Sequence, residues 1–100
     1  MITVFWDRKG NRVGLFAEGH AGAGPLGHDL VCAAVSALTH TLLLGLKDIA
    51  GMRIKAREDP ENVCVEWQEI NDTGKAIIDT WYLGMLAIQE AYGHIEFKRP

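Results

Sequence analysis

From Leu30 to Leu46 the chain runs seventeen residues without an Asp, Glu, Lys or Arg, and this stretch constrains the fold more than any other. Val31, Val35, Leu38 and Leu42 recur at helical spacing on one stripe, and Leu30, Ala34, Ala37 and Leu44 form another. A helix that is apolar around most of its circumference must be buried against a sheet or shared with a partner chain. Asp29 precedes the run and is the expected N-cap, since a carboxylate there accepts the unpaired N–H groups of the first turn. The helix is expected to reach about Ala50, with Gly51 as its stop. Ser36, Thr39, His40 and Thr41 interrupt the run, which falls short of the usual transmembrane length, so no membrane partner is expected.

Around this helix the pattern has period two. Ile2, Val4 and Trp6 alternate with Thr3 and Phe5, and Val13, Leu15 and Ala17 alternate again beyond the polar turn Asp7 to Asn11, which reads as a hairpin. Gly19 to Gly27 holds four glycines and Pro25, too many for an element interior, and reads as a mobile loop. Met52, Ile54 and Ala56 are expected inward, with Arg53, Lys55 and Arg57 outward. After the turn at residues 59–62, Val63, Val65 and Trp67 alternate against Cys64, Glu66 and Gln68 as a second hairpin. Asp72 or Thr73 is the expected cap of a second helix, in which Ile77, Ile78, Trp81, Met85, Ile88 and Tyr92 recur and which Gly93 stops. The tail around Ile95 to Lys98 alternates as a last strand. The order ββαββα(β) predicts an α+β fold, a mostly antiparallel sheet with two helices packed on one face. One hundred residues make one domain, spanning 1–100.

The formal net charge of −3 argues against direct nucleic-acid binding, which calls for a basic patch. Two cysteines in a chain able to build its own core do not suggest a disulfide scaffold, and no Cys-x-x-Cys or zinc spacing is present, so no metal or cofactor is expected. The start MITVFWDRKGN lacks a basic segment followed by an apolar one, so a cytoplasmic protein with reduced thiols is expected.

With Asp29 as cap, Cys32 falls in the first helical turn, where unpaired N–H groups and the helix dipole favour a thiolate. The same N–H groups could hold an oxyanion. Ser36 lies one turn deeper on the same face, able to hydrogen-bond near the sulfur or back to the Cys32 carbonyl. A nucleophile needs a base, and His20, His28 and His40 all compete for that role. The bland alternative is that Cys32 is a packing residue, the usual fate of a cysteine on an apolar helix. Cys64 reads as a sheet-face residue, and His94 and the Arg53, Lys55, Arg57 face as solvated surface. The glycine loop matches neither common phosphate-binding spacing.

Gly19-His20-Ala21-Gly22, then Gly27, then Asp29-Leu30-Val31-Cys32-Ala33-Ala34-Val35-Ser36 resembles the motif of the ribosomal-processing cysteine proteases (Prp). Length, element order and the leading Met-Ile-x-Val strand agree across the chain. The resemblance implies a cysteine endopeptidase that removes the N-terminal extension of a bacterial large-subunit ribosomal protein precursor, cutting after an aromatic residue. It implies Cys32 as nucleophile and His20 as general base and acid, with Asp29 and Ser36 supporting them. Gly19, Ala21, Gly22, Gly24 and Gly27 would form a substrate loop, a flap over 21–28. It further implies a homodimer, which suits the apolar helix. The rival expectation is a non-catalytic ribosome-assembly or protein-binding module.

Overall fold

The computed structural model describes residues 2–7, 11–17, 27–58 and 62–98. Strands β1 (Ile2–Asp7) and β2 (Arg12–Ala17) are followed by helix α1 (Gly27–Leu44), which ends in a π-helical turn, Gly45–Ile49. Strands β3 (Ile54–Glu58) and β4 (Asn62–Trp67), helix α2 (Asp72–Tyr92) and strand β5 (Ile95–Lys98) complete the order. The five strands form one sheet in the order β3-β4-β2-β1-β5. Three of the pairings are antiparallel, and β5 joins β1 in parallel.

Register and burial follow from the alternation. Val4 pairs with Leu15 and Leu15 with Val63, while Trp6 pairs with Val13 and Val13 with Val65, which places these side chains on one face. That face packs with Val31, Val35, Leu42 and Leu46 of the first helical segment and Ile78, Trp81, Met85 and Ile88 of α2 in a single core. The other face carries a row of alternating charge, Lys55, Glu66, Arg12 and Asp7, opposite one another across four strands. Opposite charges as cross-strand neighbours support that register. Gly14 lies on this second face, where a Cβ would collide with the Val63 carbonyl and come within 2.9 Å of the Cys64 Cα. The Phe5 ring lies 3.0 Å from the same point, filling the space a side chain would take.

The two helices run antiparallel. Thr39 hydrogen-bonds back to the Val35 carbonyl (2.7 Å) and accepts the Trp81 indole N–H (3.2 Å), so the buried polar groups satisfy each other. A Cβ on Gly84 would stand 3.0 Å from Leu38, and one on Gly45 3.2 Å from Ile77, so small residues set the closeness of the helices. At Gly45 the helix widens: the Ala50 N–H reaches the Gly45 carbonyl, and the Met52 N–H closes onto Leu46 (both 2.9 Å). Gly51 then takes φ +63°, the left-handed stop expected of it.

Several expectations are corrected. Helix α1 begins at Gly27, so Asp29 is its third residue and not its N-cap, and Cys32 is the sixth residue, in the second turn. Gly27 and His28 are helical, so they do not belong to a loop. Asn71 caps α2, its Oδ1 accepting the Gly74 N–H at 2.8 Å, in place of Asp72 or Thr73. The Asn71 amide also donates to the Ala50 carbonyl (2.7 Å), which ties the cap to the end of the first helix and explains the choice. Ala56 is exposed because β3 is an edge strand, and Tyr92 is exposed at the last position of α2. His94 is half-buried with a left-handed backbone and accepts the Ile2 N–H through its carbonyl (2.9 Å). With the π turn added, Leu30–Ile49 is by length and composition long enough to cross a membrane. Its Val31, Val35, Thr39, Leu42 and Leu46 side are nonetheless in the core of an α+β domain.

Candidate active site

One end of the sheet gathers the elements that carry the motif. Ile2 pairs with both Ala17 and Ile95, and Phe16 pairs with Asn62, so β2 leaves the sheet where β1, β4 and β5 enter it. Because α1 runs antiparallel to α2, its first turns lie beside the last turns of α2, whose chain turns through Gly93 into β5. Ala17 and Gly27, the described residues on either side of the glycine-rich segment, therefore stand at the same end of the molecule. His20, Gly19, Ala21, Gly22 and Gly24 lie outside the described residues, as does the part of the proposed flap before Gly27.

Cys32 is half-buried, packed against the core beside Val31, and is in no disulfide. Val31 and Val35, both buried, fix the rotation of α1 and hold position 32 at the margin of the core. The correction to the helix start changes the electrostatics. The unpaired N–H groups belong to residues 27–30, and the dipole's effect decays within a turn. Helical side chains lean toward the N-terminus, which directs position 32 back over that first turn. The dipole's effect at position 32 is thus smaller than a first-turn position would give.

Ser36 is exposed one turn on, and among the described residues its hydroxyl makes no hydrogen bond. Thr39, Thr41 and Thr80 by contrast all bond back to the carbonyl four residues earlier at 2.7 Å. Asp29 is in the same first turns of α1 as Cys32. His40 is removed from competition as a base: eight residues along a helix is about 12 Å. Its Nδ1 instead lies 3.2 Å from a Glu58 carboxylate oxygen, a pairing across eighteen positions that no local pattern signals.

Cys64 lies on the other side of the sheet, between Gly14 and Arg57 in register. Burial, and then the Glu66 carboxylate, push its thiol above the ordinary value, against a smaller pull from Arg12 and Arg57. It is held as a protonated thiol. Among the described residues no three His, Cys, Asp or Glu side chains gather where they could hold a metal ion.

A family model described as cysteine protease Prp matches residues 1–95. Two crystal structures of the ribosomal processing protease Prp from Staphylococcus aureus are similar over the whole of both chains. One is a complex with a substrate peptide (25% identity, TM-score 0.82) and the other holds a covalently linked product peptide (26%, 0.83). SMU.848 from Streptococcus mutans shares the fold, at 24% identity and TM-score 0.74 over 98% of this chain and 90% of its own. A comparison with curated protein sequences finds no match. With the α+β fold matched end to end and the family model covering nearly the whole chain, this protein belongs to the Prp family of cysteine proteases.

Proposed function

We propose that this protease is an endopeptidase that trims the N-terminal extension of a bacterial large-subunit ribosomal protein precursor, with Cys32 as nucleophile and His20 as general base and acid. The observation that carries the reading is Cys32 near the start of α1, at the sheet end where β2 leaves toward His20. Three residues beyond Ala17 span at most about 10 Å, which keeps His20 tethered to that end. The Staphylococcus aureus relative with its substrate peptide supports the substrate class.

The Cys32 thiolate attacks the carbonyl carbon of an aromatic residue, and the oxyanion forms against the unpaired N–H groups of residues 27–30. Imidazolium at His20 gives its proton to the leaving amine, releasing the C-terminal product. His20 then takes a proton from water, whose oxygen displaces sulfur from the thioester and frees the extension. Asp29 and Ser36 support the pair, and the segment from Gly19 through Gly22 and Gly24 closes over the substrate, its glycines providing the hinge. Leu30 (54% exposed), Leu44 (61%) and the adjoining Ile49 (74%) leave an apolar flank on the first helix, which suits a homodimer. Reduced thiols and the acidic balance suit a cytoplasmic enzyme without direct nucleic-acid contact.

Incubation with a peptide bearing the extension tests the reading. Wild type should cut after the aromatic residue, while Cys32→Ala and His20→Ala should not. Cleavage by Cys32→Ala at the wild-type rate overturns it, and intact peptide with every protein favours the non-catalytic module.

A further inference from the structure

Strand β3 is an edge of the sheet, joined to β4 on one side. Its alternate backbone N–H and C=O groups that point away from β4 are therefore a template for one more strand. Lys55, Ala56, Arg57 and Glu58 are all exposed, as is Arg53 just before the strand. Alternation puts Arg53, Lys55 and Arg57 on the sheet face opposite the helices, each about 6.6 Å from the next. Ile54, Ala56 and Glu58 take the helix-bearing face. On β4, Lys55 faces Glu66 and Arg57 faces Cys64. Glu66 also faces Arg12 in the ladder, and among the described residues none of Arg53, Lys55 and Arg57 is in an ion pair.

We propose that this edge takes an extended acidic segment of a partner polypeptide as an added strand, with Asp or Glu at alternate residues opposite Arg53, Lys55 and Arg57. An added strand has the same period of two and the same rise, so its carboxylates meet all three cations in one register. Opposed Cβ atoms lie about 5 Å apart, within reach of an ion pair. The same row repels a second copy of β3, because like charges would stand opposite one another, and it repels a basic segment for the same reason. Single-stranded RNA fits less well, since the Glu66 and Asp7 carboxylates share this sheet face and the net charge is −3. The cations point away from the helix-bearing face, where Cys32 packs against the core, so the added strand's acidic side lies apart from that thiol.

A fluorescent peptide alternating Glu with Thr and Val is compared with its Gln counterpart by anisotropy, using the full chain at low salt. Wild type should bind the Glu peptide about tenfold more tightly, the combined scale of three exposed charge pairs, and high salt should shrink the ratio. Arg53→Gln, Lys55→Gln and Arg57→Gln should each lower the ratio about twofold, and the triple variant should bring it to about one. Hydrogen exchange of the β3 amides should slow when the Glu peptide binds, which a purely electrostatic contact would not cause. No binding of the Glu peptide, an unchanged ratio in all four variants, or unslowed exchange in β3 overturns the added strand. A single-stranded RNA oligonucleotide that binds more tightly than the Glu peptide, and loses that affinity in the triple variant, overturns the acidic partner.

Discussion

The two cysteines stand on opposite sides of one sheet and in opposite chemical situations. Cys32 is on a helix near its N-terminal end, at the margin of the core. Cys64 is in the middle of a strand, backed by Gly14 and half-buried on a sheet face, with its thiol held protonated by burial. Both thiols are half-buried, so exposure does not distinguish them. What distinguishes them is the backbone around each: unpaired N–H groups one turn away from Cys32, against a fully paired ladder beside Cys64.

The largest test of that contrast is replacement. Cys32→Ala should lower kcat/KM by more than about 10³-fold, and Cys64→Ala should leave it within about twofold, measured on the same peptide. Equal losses at both positions would erase the distinction. On the proposed role of general base and acid, His20→Ala should cost about 10²- to 10⁴-fold. Reactivity gives the next test. Iodoacetamide labelling followed by mass spectrometry should modify Cys32 faster at neutral pH, and Cys64 more slowly than a free thiol.

Stability is a smaller and slower readout. Cys64 keeps its proton in the folded state above the pH at which the unfolded thiol loses it. Between those two values the folded state binds more protons, so stability falls as pH rises past the ordinary thiol range. Urea titrations at rising pH should show this decline, and Cys64→Ala should flatten it. The smallest effect concerns the wall behind Cys32. Thr39→Val leaves the Trp81 indole N–H buried without its acceptor and should cost about 1–3 kcal/mol in urea denaturation, with Cys64 labelling unchanged.

Much of the fold was legible because alternation and helical spacing are local. Val13 and Leu15 announced an inward strand face, and Ile78, Trp81, Met85 and Ile88 a buried helix stripe, and each is where its period puts it. The helix starts were less legible. Asp29 and Asp72 are good caps in isolation, but Gly27 and His28 enter α1 before Asp29, and Asn71 takes the second cap because the Ala50 carbonyl is there to receive its amide. Ala56 alternates as an inward residue and is exposed, since period two states a face and not whether anything covers it.

For the site, residue types and spacing named Cys32 and Ser36 on one helix face and left three histidines as partners. Helical geometry removed His40, by distance and by its pairing with Glu58. Sequence by itself determined the elements, their inward faces and the motif that marks the family, because these rest on short-range periodicity and residue chemistry. Only the tertiary structure decided the parallel pairing of β5 with β1, the π turn at Gly45, the Thr39–Trp81 bond and the meeting of His40 with Glu58. Each of these joins residues far apart in the chain or depends on how closely two helices pack, and no local pattern carries that information.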